Sequence, residues 1–172
     1  SNDLINGGQG APLAPVFHQV LATKLKKPVG IINIGGVANI TYIGTEDELI
    51  SFDTGPGNAL IDDFIFFRQG CRQDTGGKLA LSGKLDKKIL ESLMDHTYFS
   101  LNIPKSLDRN QFALTPTNEL SDADGAATLT AFTAESIARS INFLPKTPLL
   151  WLVTGGGRHN EAILRELRSR LG

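Results

Sequence analysis

Ile50-Ser51-Phe52-Asp53-Thr54-Gly55-Pro56-Gly57-Asn58 is the stretch whose reading decides the fold. It reads as an apolar strand that delivers Asp53, a sharp Thr-Gly-Pro-Gly turn, and a helix opening at Asn58. Leu60, Ile61, Phe64, Ile65 and Phe67 supply that helix with an apolar side. A carboxylate at the C-terminal end of a strand, above a glycine turn and a helix start, stands where α/β proteins place ligands. The strand holds the side chain rigidly, and the glycines let a ligand approach the backbone. Two related designs flank it: Asn33-Ile34-Gly35-Gly36-Val37-Ala38-Asn39 turns between two apolar strands, and Leu150-Trp151-Leu152-Val153-Thr154-Gly155-Gly156-Gly157 leads into a final helix. The expectation is one composite cleft formed by three strand ends.

Outward from these stretches, the periodicity predicts strands over residues 29–34, 37–44, 49–53 and 149–153. The first is nearly all apolar, as a strand covered on both faces should be. Leu13, Val16, Phe17, Val20, Leu21 and Leu25 mark a helix ahead of the sheet, closed by Lys27-Pro28. A helix is predicted over 86–94, and another from Ser121, whose capping box with Asp124 starts a run to about Phe143. The last helix is predicted over 158–171. Residues 98–120 carry two prolines and little periodicity and read as irregular. An irregular stretch of that length inside a compact domain is usually functional.

The chain has 172 residues, 41% hydrophobic and 20% charged, with a net charge of -1. Those values fit a soluble α/β protein and give no electrostatic case for nucleic acid or an anionic membrane. The single Cys71 excludes an internal disulfide and a cysteine-based zinc site, and fits a cytoplasmic location. No apolar run approaches the ~20 residues that span a bilayer. The start at Ser1-Asn2 and the stop at Gly172, just as a crossover helix ends, are read as marks of a piece of a longer protein.

On the residues alone, Asp53 is either a catalytic carboxylate or a cap for its own turn. Phe52-Asp53-Thr54-Gly55 also has the look of an aspartic-protease signature, and Asp74-Thr75-Gly76 echoes it. Two such motifs separated by one short helix cannot form the two lobes that share a proton, and Pro56 stands where a small residue is needed. Neither a Walker A nor a Rossmann glycine motif is present, so a nucleotide site must be of another design. His18, His96 and His159 are scattered singly and lack metal-ligand spacing, so no metal ligand is assigned. Lys105, Ser106 and Arg109 are read as solvated residues, with contact to a phosphate or sugar as the alternative.

Several motifs together resemble the anhydro-N-acetylmuramic acid kinases of the sugar kinase/Hsp70/actin superfamily. They are Gly7-Gly8-Gln9-Gly10-Ala11-Pro12-Leu13, the Asn33–Asn39 turn, Asp53-Thr54-Gly55-Pro56-Gly57-Asn58, Asp74-x-x-Gly77-x-x-Ala80-x-x-Gly83, Pro104-Lys105-Ser106, and Gly155-Gly156-Gly157 with Arg158 and Asn160. The resemblance implies an actin-like ATPase (ribonuclease H-like) α/β domain with a mixed sheet flanked by helices, incomplete at both ends. Residues 1–28 would end a first lobe, with Ser1-Asn2 read as cloning residues, and 29–172 would form most of a second. It further implies ATP and Mg2+ as cofactors and opening of 1,6-anhydro-N-acetylmuramic acid with phosphorylation at O6, a step of peptidoglycan recycling. Asp53 would be the catalytic base. ATP would meet Gly35, Gly36, Asn39, Gly155, Gly156, Gly157 and Asn160, and the amino sugar would meet Gly8, Gln9, Gly10, Gly55 and Asn58. A homodimer is implied for the full-length protein, and the phosphate loop and Mg-coordinating groups would lie outside this chain. The piece alone should be inactive. Two alternatives stay open: a non-catalytic nucleotide-binding regulatory module of the same superfamily, and a kinase for another sugar.

Overall fold

The structure is a computed structural model that describes residues 25–46 and 48–172. The helix predicted around Leu13–Leu21 and the Gly8-Gln9-Gly10 segment lie outside the described residues. Strands β1 (Val29–Ile34), β2 (Val37–Ile43) and β3 (Leu49–Pro56) form an antiparallel meander. Strand β4 (Leu150–Thr154) adds to β1 in parallel, giving the order β3-β2-β1-β4. The expected mixed sheet flanked by helices is therefore present.

Helix α1 (Asn58–Gln69) comes after β3 and ends at Gly70 in the left-handed region. A short α2 (Lys78–Ser82) and α3 (Lys87–Met94) come next, the latter capped by Asp86 accepting from the Ile89 amide at 3.0 Å. The long helix α4 (Asp122–Ser140) starts at Ser121, whose hydroxyl accepts from the Asp124 amide at 3.1 Å. Helix α5 (Glu161–Leu171) comes after β4.

One core lies between one face of the sheet and the helices. Ile32, Ile34, Ile40 and Phe52 pack there against Leu60, Ile61, Phe64, Leu129, Phe132, Ile137 and Ile163. Each such side chain contributes roughly 1.5–3 kcal/mol on burial. The other face begins with Val29, Ile31 and Ile43, a second buried cluster.

Three local expectations need correction. Phe67 is not part of α1's inner face; it is 79% exposed. The inward position of that last turn is taken by Arg68, which donates to Asp122 at 2.7 Å and to the Leu120 carbonyl at 2.6 Å. The final α-helix starts at Glu161, because Gly156–His159 form a 3-10 turn and Asn160 caps the first turn of α5. Lys105 is not solvated but 8% exposed, and Leu107 near it is buried too, whereas Ser106 and Arg109 are exposed as expected. Tyr98, Phe99 and Phe112 fill the space beside Phe132 as an aromatic cluster. Burial, rather than periodicity, fixes that stretch.

Candidate functional site

The glycine turn between β1 and β2 is held against the start of α1. The Gly36 carbonyl accepts from the Gly57 and Ala59 amides at 2.9 and 3.2 Å, and the Gly35 carbonyl accepts from Asn58 at 2.7 Å. The first amides of α1 are thus occupied by protein, not left open to an anion. Because C=O and N–H point opposite ways across a trans peptide, the Gly36 amide in the same plane points away from α1. Only glycine fits at 57, since a Cβ there would run into the Gly35 carbonyl. Asn58 adds a side-chain bond to the Ile34 carbonyl at 3.0 Å.

The end of β4 meets the same turn. Gly155 has φ +77° and lies so close to Ile34 that a Cβ would stand 2.5 Å from its carbonyl oxygen. Gly157 packs on Ile34 and Asn58. Together these parts wall a polar cleft of about 410 Å³ that includes Gly35, Gly36, Asn58, Gly156 and Asn160. Five of the predicted site residues are thereby brought together. Asn160 also works structurally, its Oδ1 accepting from the Ile163 amide at 3.1 Å.

Gln73, Asp74, Asp62, Arg109 and His159 also line the cleft. On sequence Arg109 reads as solvated, with contact to a phosphate or sugar as the alternative, and the others carry no site assignment. Asp62 was legible in principle, because it lies one helical turn beyond Asn58 and so shares its face. Burial, then the neighbouring Asp63 charge, pushes its carboxyl up to about 6, with Arg109 opposing. Arg109 spends its guanidinium on Asp63 at 2.7 Å. Asp74 is a helix cap: its two oxygens accept from Leu79 and Ala80, both at 2.9 Å. That bond pair gives Asp74 a structural role.

Asp53 does not line this cleft. Along β3 it alternates with the core residue Phe52, so it projects from the opposite face of the sheet. There the ladder register sets Asp53 beside Asn39, Asn39 beside Asn33, and Asn33 beside Thr154. These four half-buried polar side chains form a row across the strand ends next to both glycine turns. Thr154 and Asn33 are in contact at 3.4 Å. The composite cleft expected from three strand ends is therefore two adjoining features on the two faces of one sheet end. Gly55 lies in neither; it is buried against Ser136 and Phe99 of the core.

Asp53 is fixed by the irregular segment running along the outer edge of β3. Its amide donates to the Lys105 carbonyl at 3.1 Å, and its Oδ2 accepts from the Leu107 amide at 2.9 Å. The Tyr98 hydroxyl donates to the Asp53 carbonyl at 2.6 Å. Burial raises the Asp53 carboxyl above the usual carboxylate range, and the Leu107 bond partly offsets this. Burial, then the Asp53 charge, likewise raises the Tyr98 phenol. A half-buried carboxylate with one oxygen pinned by a backbone amide leaves the other free to take a proton. Sequence reasoning missed Tyr98 and Leu107 and gave Lys105 a solvated role, because nothing in their spacing marks a segment that docks on a strand edge.

Among the described residues no group of three His, Cys, Asp or Glu side chains could hold a metal ion, and no helix is long and apolar enough to cross a membrane.

Known proteins have similar sequences. Residues 1–172 match the family described as anhydro-N-acetylmuramic acid kinase. A curated protein of that name from Rhodospirillum rubrum is 53% identical over 171 residues, covering 99% of this chain and 46% of the relative. One from Rhodopseudomonas palustris strain BisB18 is 51% identical over 98% of this chain and 47% of its own length. The protein of that name from Caulobacter vibrioides is 48% identical over 98% of this chain and 46% of its own length. The chain spans about half the length of the curated relatives it matches.

Proposed function

The chain belongs to the anhydro-N-acetylmuramic acid kinase family, and from that premise we propose that the whole protein is an ATP-dependent kinase with Asp53 as its general base. It would open 1,6-anhydro-N-acetylmuramic acid with water and phosphorylate O6, giving N-acetylmuramic acid 6-phosphate for peptidoglycan recycling in the cytoplasm. The observation that carries this reading is Asp53 itself: a raised, half-buried carboxyl with one oxygen fixed, at the sheet end where the glycine turns meet.

The free carboxylate oxygen takes a proton from water as the water oxygen bonds to the anomeric carbon. The bond from that carbon to O6 breaks, and O6 attacks the γ-phosphorus as the bond to the departing ADP breaks. Positioned general-base catalysis contributes typically ~10²–10⁴-fold. The polar cleft of Gly35, Gly36, Asn58, Gly156 and Asn160 suits a nucleotide, since it offers backbone polar groups at close approach. The Gly36 amide, turned away from α1, would meet phosphate. Asn39 belongs to the row beside Asp53, where it would orient water or phosphate rather than adenosine. Mg2+ would arrive with the nucleotide, held chiefly by phosphate oxygens, and would neutralise charge during transfer. Gly8, Gln9 and Gly10 are proposed for the sugar side, with residues 1–28 closing a first lobe and 29–172 belonging to a second. A homodimer is proposed for the whole protein.

The test is to incubate the whole protein with Mg-ATP and 1,6-anhydro-N-acetylmuramic acid and follow product mass, with Asp53→Asn alongside. Gain of water plus phosphate, lost in the variant, is the expected result. Phosphate without water on another amino sugar would reassign the substrate. Nucleotide binding with no sugar turnover would point to a regulatory module.

A further inference from the structure

Lys105 is the one buried lysine in the described core, and the kinase chemistry proposed for Asp53 does not use it. Its side chain is 8% exposed and, among the described residues, has no carboxylate partner. The ammonium sits 4.7 Å from the centre of the Tyr98 ring and 4.6 Å from that of Phe143, and donates to the Tyr98 carbonyl at 3.2 Å. Two aromatic faces and one carbonyl replace its lost water. Burial lowers its pKa. A buried ammonium held in this way is an expensive device for mere packing, because an apolar side chain would fill the same space without desolvating a charge.

What it holds in place is the segment that grips Asp53. The Lys105 carbonyl accepts from the Asp53 amide, Leu107 two residues on pins Oδ2, and Tyr98, which the ammonium clamps from two sides, holds the Asp53 carbonyl. Three links thus close a loop, Nζ to Tyr98, Tyr98 to Asp53 and Asp53 to the Lys105 backbone, and a fourth joins Leu107 to the carboxylate. We propose that Lys105 is a positioning residue for Asp53, its caged ammonium locking the 105–107 segment onto the edge of β3 so that the carboxylate presents a single free oxygen. Lys105 touches no reacting atom in this role. The inference rests on the reading of Asp53 as the base.

The test compares Lys105→Met and Lys105→Gln in the whole protein. Met keeps an unbranched apolar stem between the rings and removes both charge and donor; Gln keeps a donor for the Tyr98 carbonyl. Loss of positioning should lower kcat by about 10²-fold in the Met variant, the effect of a misplaced catalytic group, while KM stays within about twofold. Gln should lose less. The acid limb of the pH–rate profile should move to higher pH, because the Leu107 bond that lowers the Asp53 pKa weakens. Should Met prevent folding, Gln carries the same readouts. A fall in Tm with kcat and the acid limb unchanged in the folded variants would overturn the proposal and leave Lys105 a packing residue. Carbon-detected titration of the Asp53 carboxyl reads the same shift without turnover. An unmoved carboxyl pKa therefore defeats the positioning role, whereas failure of the wild type to turn over the sugar defeats the kinase reading instead.

Discussion

The cleft at the β1–β2 turn and the grip on Asp53 lie at one end of one sheet, yet they are made of different material. The cleft is built by backbone: carbonyls of Gly35 and Gly36 tied to amides 57–59, and Gly155 pressed onto Ile34. The grip mixes side chains and backbone from a segment between β3 and α4: a phenol, a caged ammonium, the Lys105 carbonyl and the Leu107 amide. Gly57 and Gly155 of the first can only be glycine, because a Cβ there would collide with the carbonyls of Gly35 and Ile34. The second could be made by many residue types, and its parts lie far from Asp53 in sequence, Leu107 by 54 positions. A turn that demands glycine therefore announces itself in sequence, and a grip assembled from residues far along the chain does not.

The difference predicts how each region fails. The largest effect should come from Asp53→Asn in the whole protein: a loss of ~10²–10⁴-fold in kcat, with nucleotide binding close to wild type because Asp53 stands on the opposite face from the cleft. Isothermal titration with ATP checks the second half; a matching loss of binding would merge the two regions into one site. Gly57→Ala should break the backbone-made region. Its Cβ meets the Gly35 carbonyl, so the turn must move at a cost of about 1–3 kcal/mol, and ATP affinity should fall with Tm. Unchanged ATP affinity in that variant would remove the Gly35-Gly36 turn from the nucleotide site.

Tyr98→Phe should sharpen the contrast from the other side. It deletes one bond of 2.6 Å to the Asp53 carbonyl and should lower stability by about 1 kcal/mol, with kcat reduced and ATP binding untouched. The smallest effect is expected from Asp62→Asn, read by thermal denaturation across pH. The folded-state pKa of Asp62 is raised to about 6, so its contribution is favourable below the ordinary carboxylate pKa and is lost as pH rises through 6. The Asn variant should therefore gain stability at neutral pH, by about 1 kcal/mol at most once solvent screening is allowed for, and the gain should vanish near pH 4. A gain independent of pH would show that the Asp62 charge does not resist burial.

The fold was legible because its signals are local. Four apolar stretches with glycine or polar turns gave the strands, and Ser121 with Asp124 gave the start of α4. The family resemblance stood on glycine-rich motifs in sequence order. Local signals also misled where a partner outside the window decided the outcome. Phe67 lost its inward place to Arg68, because Asp122 and the Leu120 carbonyl offered the guanidinium better company. The last helix began later than its glycine run because Asn160 was the better cap.

By itself the sequence determined the mixed α/β layout, the glycine turns that only a close backbone approach requires, and a carboxylate at the end of β3. Tertiary structure alone decided which face of the sheet each group serves. Alternation sends Asp53 away from Phe52, register lines it up with Asn39, Asn33 and Thr154, and the segment from Tyr98 to Leu107 folds back along the strand edge to hold it. Register and docking are long-range choices. They are made by burying apolar side chains such as Phe52, Phe99 and Leu107, and burial is a property of the assembled chain.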